Sequence, residues 1–211
     1  MNGDGNNSAE TVFLVEDDEA VREGLSDLLH SAGIATRCFG SAEEFLQSWD
    51  AAMTGCLLLD VRLPGMSGME LQSHLNSLGI AIPIIIMTAH GDIPMVRKAL
   101  KAGAVEFLTK PFQDEDIFDV VRQAFERDRE NRRAMDRQAV LQACVESLTE
   151  RERQVLEMVT AGLTNREIAE KLFLSVVTVK LHRGQGMRKM QAESLADLVR
   201  MWGRIGSMHN P

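Results

Sequence analysis

GCLLLD at 55–60 and AIPIIIMT at 81–88 are apolar runs with no polar alternation. A strand with one wet face alternates apolar and polar residues, so these two must be buried on both faces, as in a parallel sheet sandwiched between helices. Similar short runs occur at 11–15 (TVFLV), 34–38 (IATRC) and 104–108 (AVEFL). Between them apolar residues recur at helical spacing: Val21, Leu25, Leu28 and Leu29; the SAEEFLQSW segment at 41–49; Met69 to Leu78; Val96 to Ala102; and Ile117, Val120, Val121, Ala124 and Phe125. Five strands alternating with five helices predict a three-layer α/β domain.

The pattern changes beyond Ser147, where no strand-like run persists. Helix starts are signalled by Thr149-x-x-Glu152, Thr164-x-x-Glu167 and Ser175. Four helices are expected, near 150–161, 165–172, 176–190 and 193–204. A chain of 211 residues suits two domains of this kind. Charge divides with them: residues 147–211 hold ten Lys and Arg against seven Asp and Glu, +3, which leaves −11 of the net −8 on the first 146. An acidic, cation-binding module followed by a mildly basic, phosphate-binding one has this asymmetry. The intervening ERDRENRRAMDR at 126–137 offers Asp128 with Arg132, Glu126 with Arg129 and Glu130 with Arg133 as helical ion pairs. It reads either as a solvated helix face or as a spacer that transmits dimerisation. The expected division is a disordered tail at 1–10, domains at 11–126 and 147–211, and a helical linker at 127–146.

No stretch approaches the roughly 20 apolar residues of a membrane span, and the start MNGDGNNSAE has no secretory pattern. Three scattered cysteines, Cys38, Cys56 and Cys144, encode neither a disulfide framework nor a zinc site. A cytoplasmic protein without a membrane partner is expected.

In open parallel sheets the site forms at the carboxyl ends of the strands. Those positions hold Glu16, Asp17 and Asp18 after the first strand, Asp60 after the third, Thr88 after the fourth, and Lys110-Pro111 after the fifth. Clustered carboxylates repel one another unless a cation neutralises them, and oxygen donors suit Mg²⁺. A carboxylate there can attack phosphorus, with a hydroxyl and an ammonium stabilising the phosphoryl oxygens. The blander alternative makes EDD a helix cap and Asp60 the start of a turn.

LVEDDE, LLLDVRLPGMSGMEL, IIIMTAHGDIP and KAGAVEFLTKPF resemble the receiver domain of two-component response regulators, over nearly all of residues 11–126. TAHGDIPM and KAGAVEFLTKPF are most similar to the NarL/FixJ subfamily. The resemblance implies a doubly wound (βα)5 sheet of order 2-1-3-4-5 and Asp60 as phosphoacceptor. It gives Glu16 and Asp17 the Mg²⁺ role, with Arg62 contributing its backbone carbonyl. Thr88 and Lys110 would stabilise the phosphoryl group, with a cis bond between Lys110 and Pro111, and Thr88 with Phe107 would form the switch. By spacing alone Phe107 is a core residue.

The second region, LTERERQVLEMVTAGLTNREIAEKLFLSVVTVKLHRGQGMRKM, places two capped helices around the short connection LFLS, a helix-turn-helix pattern in a smaller all-α domain. Val155, Leu156, Val159 and Leu163, then Ile168, Ala169 and Leu172, then Leu195, Leu198, Val199 and Trp202 form its expected core stripes. Lys180, His182 or Arg183, Arg188 and Lys189 remain to face outward, as a DNA-reading face or as a solvated basic one. LTERERQVLEMVTAGLTNREIAEKL and TVKLHR resemble the LuxR-type DNA-binding domain over about residues 147–205. That similarity implies base contacts by Lys180 and Leu181, with Thr178, Arg183, Asn165 and Arg166 near phosphates or bracing the helices. Gly184 and Gly186 depart from the pattern and each costs about 1 kcal/mol of helix propensity; Gly186 is expected to tolerate Ala, whereas Gly184 stays undecided.

A transcription factor is therefore expected rather than an enzyme. Its partners would be a sensor histidine kinase, a double-stranded DNA operator and, once phosphorylated, a second copy in a homodimer. Two rivals stand beside it: a metal-dependent phosphohydrolase with Asp60 as nucleophile, which would need an acid where Arg62 stands, and a receiver that only docks.

Overall fold

Alternation within each continuous apolar strand sends successive side chains to opposite faces, and the structure uses both faces fully. The computed structural model describes residues 10–89, 97 and 99–208, the last three by their backbone. Its sheet has strands β1 (Thr11–Val15), β2 (Ala35–Phe39), β3 (Gly55–Asp60), β4 (Ile84–Thr88) and β5 (Glu106–Thr109) in the order β2-β1-β3-β4-β5, all parallel. Phe13, Val15, Leu57, Leu59, Ile84 and Ile86 point to one face, where α2 (Ala42–Ser48) and α3 (Gly68–Ser77) cover them with Phe45, Leu71 and Leu75. Val12, Leu14, Cys56, Leu58, Ile85 and Met87 point to the other, under Leu25 and Leu29 of α1 (Glu19–Ser31) and Ile117 and Val121 of α4 (Asp114–Glu146). This is the doubly wound receiver architecture expected from the resemblance. The expected helix around Val96 to Ala102 falls partly outside the described residues; Arg97 and residues 99–101 are helical. The expected tail lies outside them as well, apart from Glu10.

The chain divides into two compact units, Met1–Arg132 and Arg133–Pro211, with the boundary inside α4. The charged pairs expected on this helix form differently. Asp128 does pair with Arg132, at 2.8 Å, but it is 4% exposed rather than solvated. Its Oδ2 also accepts the amide of Gly55 at 3.0 Å, while Arg132 donates to the Met53 carbonyl. Arg129 pairs with Glu10 and Glu130 with Arg127, not with the neighbours that spacing suggested. The beginning of the charged stretch is therefore pinned to the amino-terminal edge of the sheet. Within the second unit, Leu141, Cys144 and Val145 are buried in the helical core.

That core is closed by α5 (Glu150–Thr160), α6 (Asn165–Leu172), α7 (Val176–Lys189) and α8 (Leu195–Met208). Thr149 with Glu152 and Thr164 with Glu167 form the capping boxes read from the sequence, and Ser175 caps α7. The stripe on α8 is rotated from the expected one: Leu198, Met201, Trp202 and Ile205 face the core, whereas Leu195 and Val199 are each 43% exposed. The buried stripe is centred near Leu198 and Ile205, and Val199, about 100° of helix rotation from Leu198 on the side away from Met201 and Ile205, falls outside it.

Candidate functional site

The register Val15↔Leu59 brings the next residues of β1 and β3, Glu16 and Asp60, side by side at the carboxyl edge. Lys110 joins them from beyond β5, where its amide donates to the Thr88 carbonyl at 2.7 Å. Its Nζ donates to Glu16 Oε2 at 2.5 Å and to Asp60 Oδ2. Asp60 Oδ1 accepts the amide of Arg62 at 2.7 Å. Glu16, Asp60 and Thr88 are all buried, whereas Asp17 is exposed at the rim. Asp18 takes the cap role, accepting the amides of Ala20 and Val21. The three acids after β1 thus divide between the site and the helix cap. The Lys110-Pro111 peptide is cis. Phe107 lies opposite Ile86 on β5, half-buried against the first core face.

Burial pushes the Glu16 carboxyl above the usual carboxylate range; the Lys110 hydrogen bond opposes this and the nearby Asp60 charge reinforces it. Burial alone would lower Lys110, but its hydrogen bonds to Asp60 and Glu16 outweigh that and hold the ammonium above its ordinary value. Two carboxylates thus share one ammonium, and the pocket keeps surplus negative charge when both are ionised. Among the described residues no group of three or more His, Cys, Asp or Glu side chains is assembled around a metal position. The donor chemistry nevertheless fits Mg²⁺: oxygen atoms only, too few to enclose the ion, beside an open acidic rim that leaves coordination to water.

Two supports escaped the sequence reading. Gly68 starts α3 directly under Asp60, where a Cβ would lie 2.2 Å from the Asp60 carbonyl oxygen. Arg22 donates to the Glu16 and Asp17 carbonyls at 2.8 and 3.2 Å, bracing the β1–α1 loop. The glycine-rich LPGMSGMEL stretch signalled the first; the second needed the fold, because Arg22 reads as an ordinary exposed position on a helix.

In the second unit α6 and α7 form the helix-turn-helix, with Phe173 in the left-handed region at φ 55° ending α6. Lys180 and Leu181 are exposed on α7. Asn165 and Arg183 meet, Arg183 Nη1 donating to Asn165 Oδ1 at 3.2 Å, which ties the two helices together. The Thr178 amide and hydroxyl both engage the Ser175 hydroxyl. Arg166 is exposed beside Glu170 at 3.4 Å. Lys189, expected on the basic face, instead reaches back to buried Glu152 at 2.6 Å and to the Ser147 carbonyl. Gly186 is buried against Leu156, whereas a Cβ on Gly184 would meet nothing within 4 Å.

A five-stranded parallel α/β unit with this acidic edge, followed by a helix-turn-helix unit, defines a receiver joined to a DNA-binding effector. Comparison with known proteins agrees. Residues 12–122 match the response regulator receiver domain and residues 146–202 the bacterial regulatory proteins of the luxR family. The chain is 49% identical over 199 residues to nodulation protein W of Bradyrhizobium diazoefficiens, covering 94% of this chain and 88% of that protein. It is 44% identical over 191 residues to the transcriptional regulatory protein FixJ of Rhizobium meliloti, covering 90% and 94%. A low-resolution structure of the response regulator StyR superimposes with a TM-score of 0.84 at 46% identity, covering 93% of this chain and all of that one. The chain belongs to the two-component response regulators of NarL/FixJ type. Among the described residues no helix is long and apolar enough to cross a membrane.

Proposed function

We propose that the protein is a phosphorylation-controlled transcription factor that takes a phosphoryl group from a sensor histidine kinase onto Asp60. The observation that carries this reading is the contact set of Asp60: buried at the end of the central strand, with Lys110 on one carboxylate oxygen and the Arg62 amide on the other. An Asp60 oxygen attacks phosphorus, and the bond from phosphorus to the donor histidine nitrogen breaks as the new oxygen–phosphorus bond forms. Lys110 then pairs with a phosphoryl oxygen, the Thr88 hydroxyl follows the phosphoryl group, and Phe107 moves with it. Glu16, Asp17, Asp60 and the Arg62 carbonyl would hold Mg²⁺. Bound there, the ion neutralises charge on the transferring phosphoryl oxygens.

The same reading assigns phosphoryl acceptance to residues 11–126, operator binding to 147–211, and transmission to 127–146. Phosphorylation promotes a homodimer, and two half-sites then raise affinity through effective concentration. The surface expected to change is Asp92 to Leu108, of which 92–96 and 98 lie outside the described residues. Lys180 and Leu181 approach base edges, while Arg166 and the Thr178, Asn165 and Arg183 group lie along the phosphate backbone or brace the two helices. A cytoplasmic location follows from the need to meet both a kinase and DNA.

Incubation with acetyl phosphate and Mg²⁺, followed by mass spectrometry, tests the acceptor. One phosphoryl group per chain on Asp60, lost in Asp60→Asn, is expected; undiminished labelling of that variant overturns the assignment. Sustained turnover of a small phosphomonoester would instead favour a hydrolase, which Arg62 disfavours by standing where such an enzyme needs a second acid.

A further inference from the structure

We infer that α3 fixes one end of the phosphorylation switch: the side-chain amides of Gln72 and Asn76 act as positioning groups that hold the turn from Ala99 to Ala104 in both states, so the surface change proposed for phosphorylation leaves this turn out. The inference rests on the phosphoryl-transfer reading and adds to it the part of the switch that stays in place.

Gly68, Gln72 and Asn76 lie four residues apart on one side of α3, each about 6 Å further along the axis. All three meet main-chain atoms. Gly68 lies against the Asp60 carbonyl, and its amide donates to the Val61 carbonyl at 3.1 Å. Gln72 Nε2 donates to the Ala99 carbonyl at 2.9 Å, and Asn76 Nδ2 to the Ala102 carbonyl at 2.6 Å. One helix thus connects the backbone of the candidate phosphoacceptor to the end of the helical segment that includes Arg97 and residues 99–101.

Carbonyls in the last turn of a helix lack partners within it. Here they are supplied twice over. Gly103, at φ 93°, turns the chain so that its amide donates to the Leu100 carbonyl and the Ala104 amide to the Ala99 carbonyl, both at 3.0 Å. The Ala99 oxygen therefore accepts from both Ala104 and Gln72. Ala99 and Ala104 are buried in one core cluster with Leu71 and Leu75 of α3, and the Val105 amide donates to the Ile84 carbonyl at 2.8 Å. The held turn lies where β5 begins, at the opposite edge of the sheet from Thr88 and Lys110. A displacement at Thr88 or Phe107 can alter the adjoining surface only against a part that does not follow it.

Gln72 is fully buried, and its Oε1 has no hydrogen-bond partner among the described residues. A methionine would fill similar space without an unpaired carbonyl, whose burial is unfavourable. Packing alone therefore does not account for an amide at this position. What the amide adds is direction: a hydrogen bond holds the Ala99 oxygen at one distance and angle, whereas apolar contacts let packed helices slide.

The test is hydrogen exchange of the full-length chain, read at single amides, with and without excess acetyl phosphate and Mg²⁺. In the wild type, phosphorylation should alter exchange at Phe107 and leave the Gly103 and Ala104 amides within about twofold of their starting rates. Gln72→Met combined with Asn76→Ala keeps the core filled and removes both donors together with the unpaired Oε1. Labelling of Asp60 and far-UV circular dichroism should then be unchanged. Exchange at Gly103 and Ala104 should rise about tenfold, the worth of one buried hydrogen bond. The gain in self-association on phosphorylation, measured by sedimentation, should fall by about the same factor. Wild-type protection of Gly103 and Ala104 in the double variant would show that packing alone holds the turn, and overturns the inference. Phosphorylation that speeds exchange there in the wild type also overturns it, since the turn then belongs to the moving part. So does lost protection with the full gain in self-association, which leaves the two amides a purely structural part. Absence of labelling in the wild type would sink the phosphoryl-transfer reading itself, and the inference with it.

Discussion

Gly184 and Gly186 lie two residues apart on α7, yet a methyl group added at Gly184 should stabilise the helix while one added at Gly186 should not. An ideal Cβ on Gly186 would lie 2.9 Å from Leu156 Cδ1, 3.0 Å from Cγ and 3.3 Å from Cδ2. Carbon atoms in contact prefer about 3.5–4.0 Å, so Leu156 would have to retreat by roughly half an ångström. It is fully buried in the helical core, and overpacking of this kind costs about 1–3 kcal/mol. Against that stands a gain of about 1 kcal/mol from replacing glycine in a helix interior. Gly186→Ala should therefore be neutral to about 2 kcal/mol destabilising. Gly184→Ala meets open space and should stabilise by about 1 kcal/mol. Urea unfolding of the full chain can report on this unit alone through Trp202 fluorescence, with Trp49, the other tryptophan of the chain, changed to Phe in every variant. Leu156→Ala supplies the internal control: it removes the obstacle, so Gly186→Ala should become stabilising in that background, a coupling of about 1–3 kcal/mol. If Gly186→Ala raises the midpoint as much as Gly184→Ala does, the packing argument fails.

Gly68→Ala would drive a Cβ into the Asp60 carbonyl, a backbone atom that cannot swing away; a loss of about 3 kcal/mol and of acetyl phosphate labelling is expected, and normal labelling would refute it. Asp128→Ala strips the Gly55 amide of its partner and should cost the first unit about 1–3 kcal/mol, measured by Trp49 fluorescence in a Trp202→Phe background. For Glu152, burial alone would raise the carboxyl, but hydrogen bonds from Lys189 and Thr149 outweigh it and hold it below the usual range. A depressed folded value means that the stabilisation is complete above the ordinary carboxylate value and fades as pH falls through the folded one. Wild type should thus lose stability below about pH 4.5 more steeply than Glu152→Gln, and equal slopes in unfolding free energy across pH 3–6 would contradict this.

The elements themselves were legible because local sterics and hydrogen bonds govern them. Unbroken runs such as LLLD and IIIM could only be strands buried on both faces, and Thr149-x-x-Glu152 and Thr164-x-x-Glu167 carry both halves of a capping box within four residues. The candidate acceptor site was legible as well, since every residue proposed for it ends or follows a strand and parallel strands bring those ends to one edge. Charge pairing along α4 was not. Spacing offered Arg129 a partner in Glu126, but the fold supplied Glu10 from the other end of the unit, and surface pairs are too weak to choose between such neighbours alone.

The amino-acid order by itself determined the two-unit plan, the helix starts and the chemical kinds of group gathered at the carboxyl edge. Tertiary structure alone decided which of the three acids after β1 would be buried beside Asp60 and which would cap a helix, because that depends on where α1 turns away from the sheet. It also decided that Lys189 secures a buried Glu152 instead of facing outward, and that Gly186 is a contact point while Gly184 is open. These are distances between segments remote in sequence, set by how closely packed elements approach. A helical repeat gives the direction of each side chain around its own axis, but what stands opposite that side chain belongs to another helix.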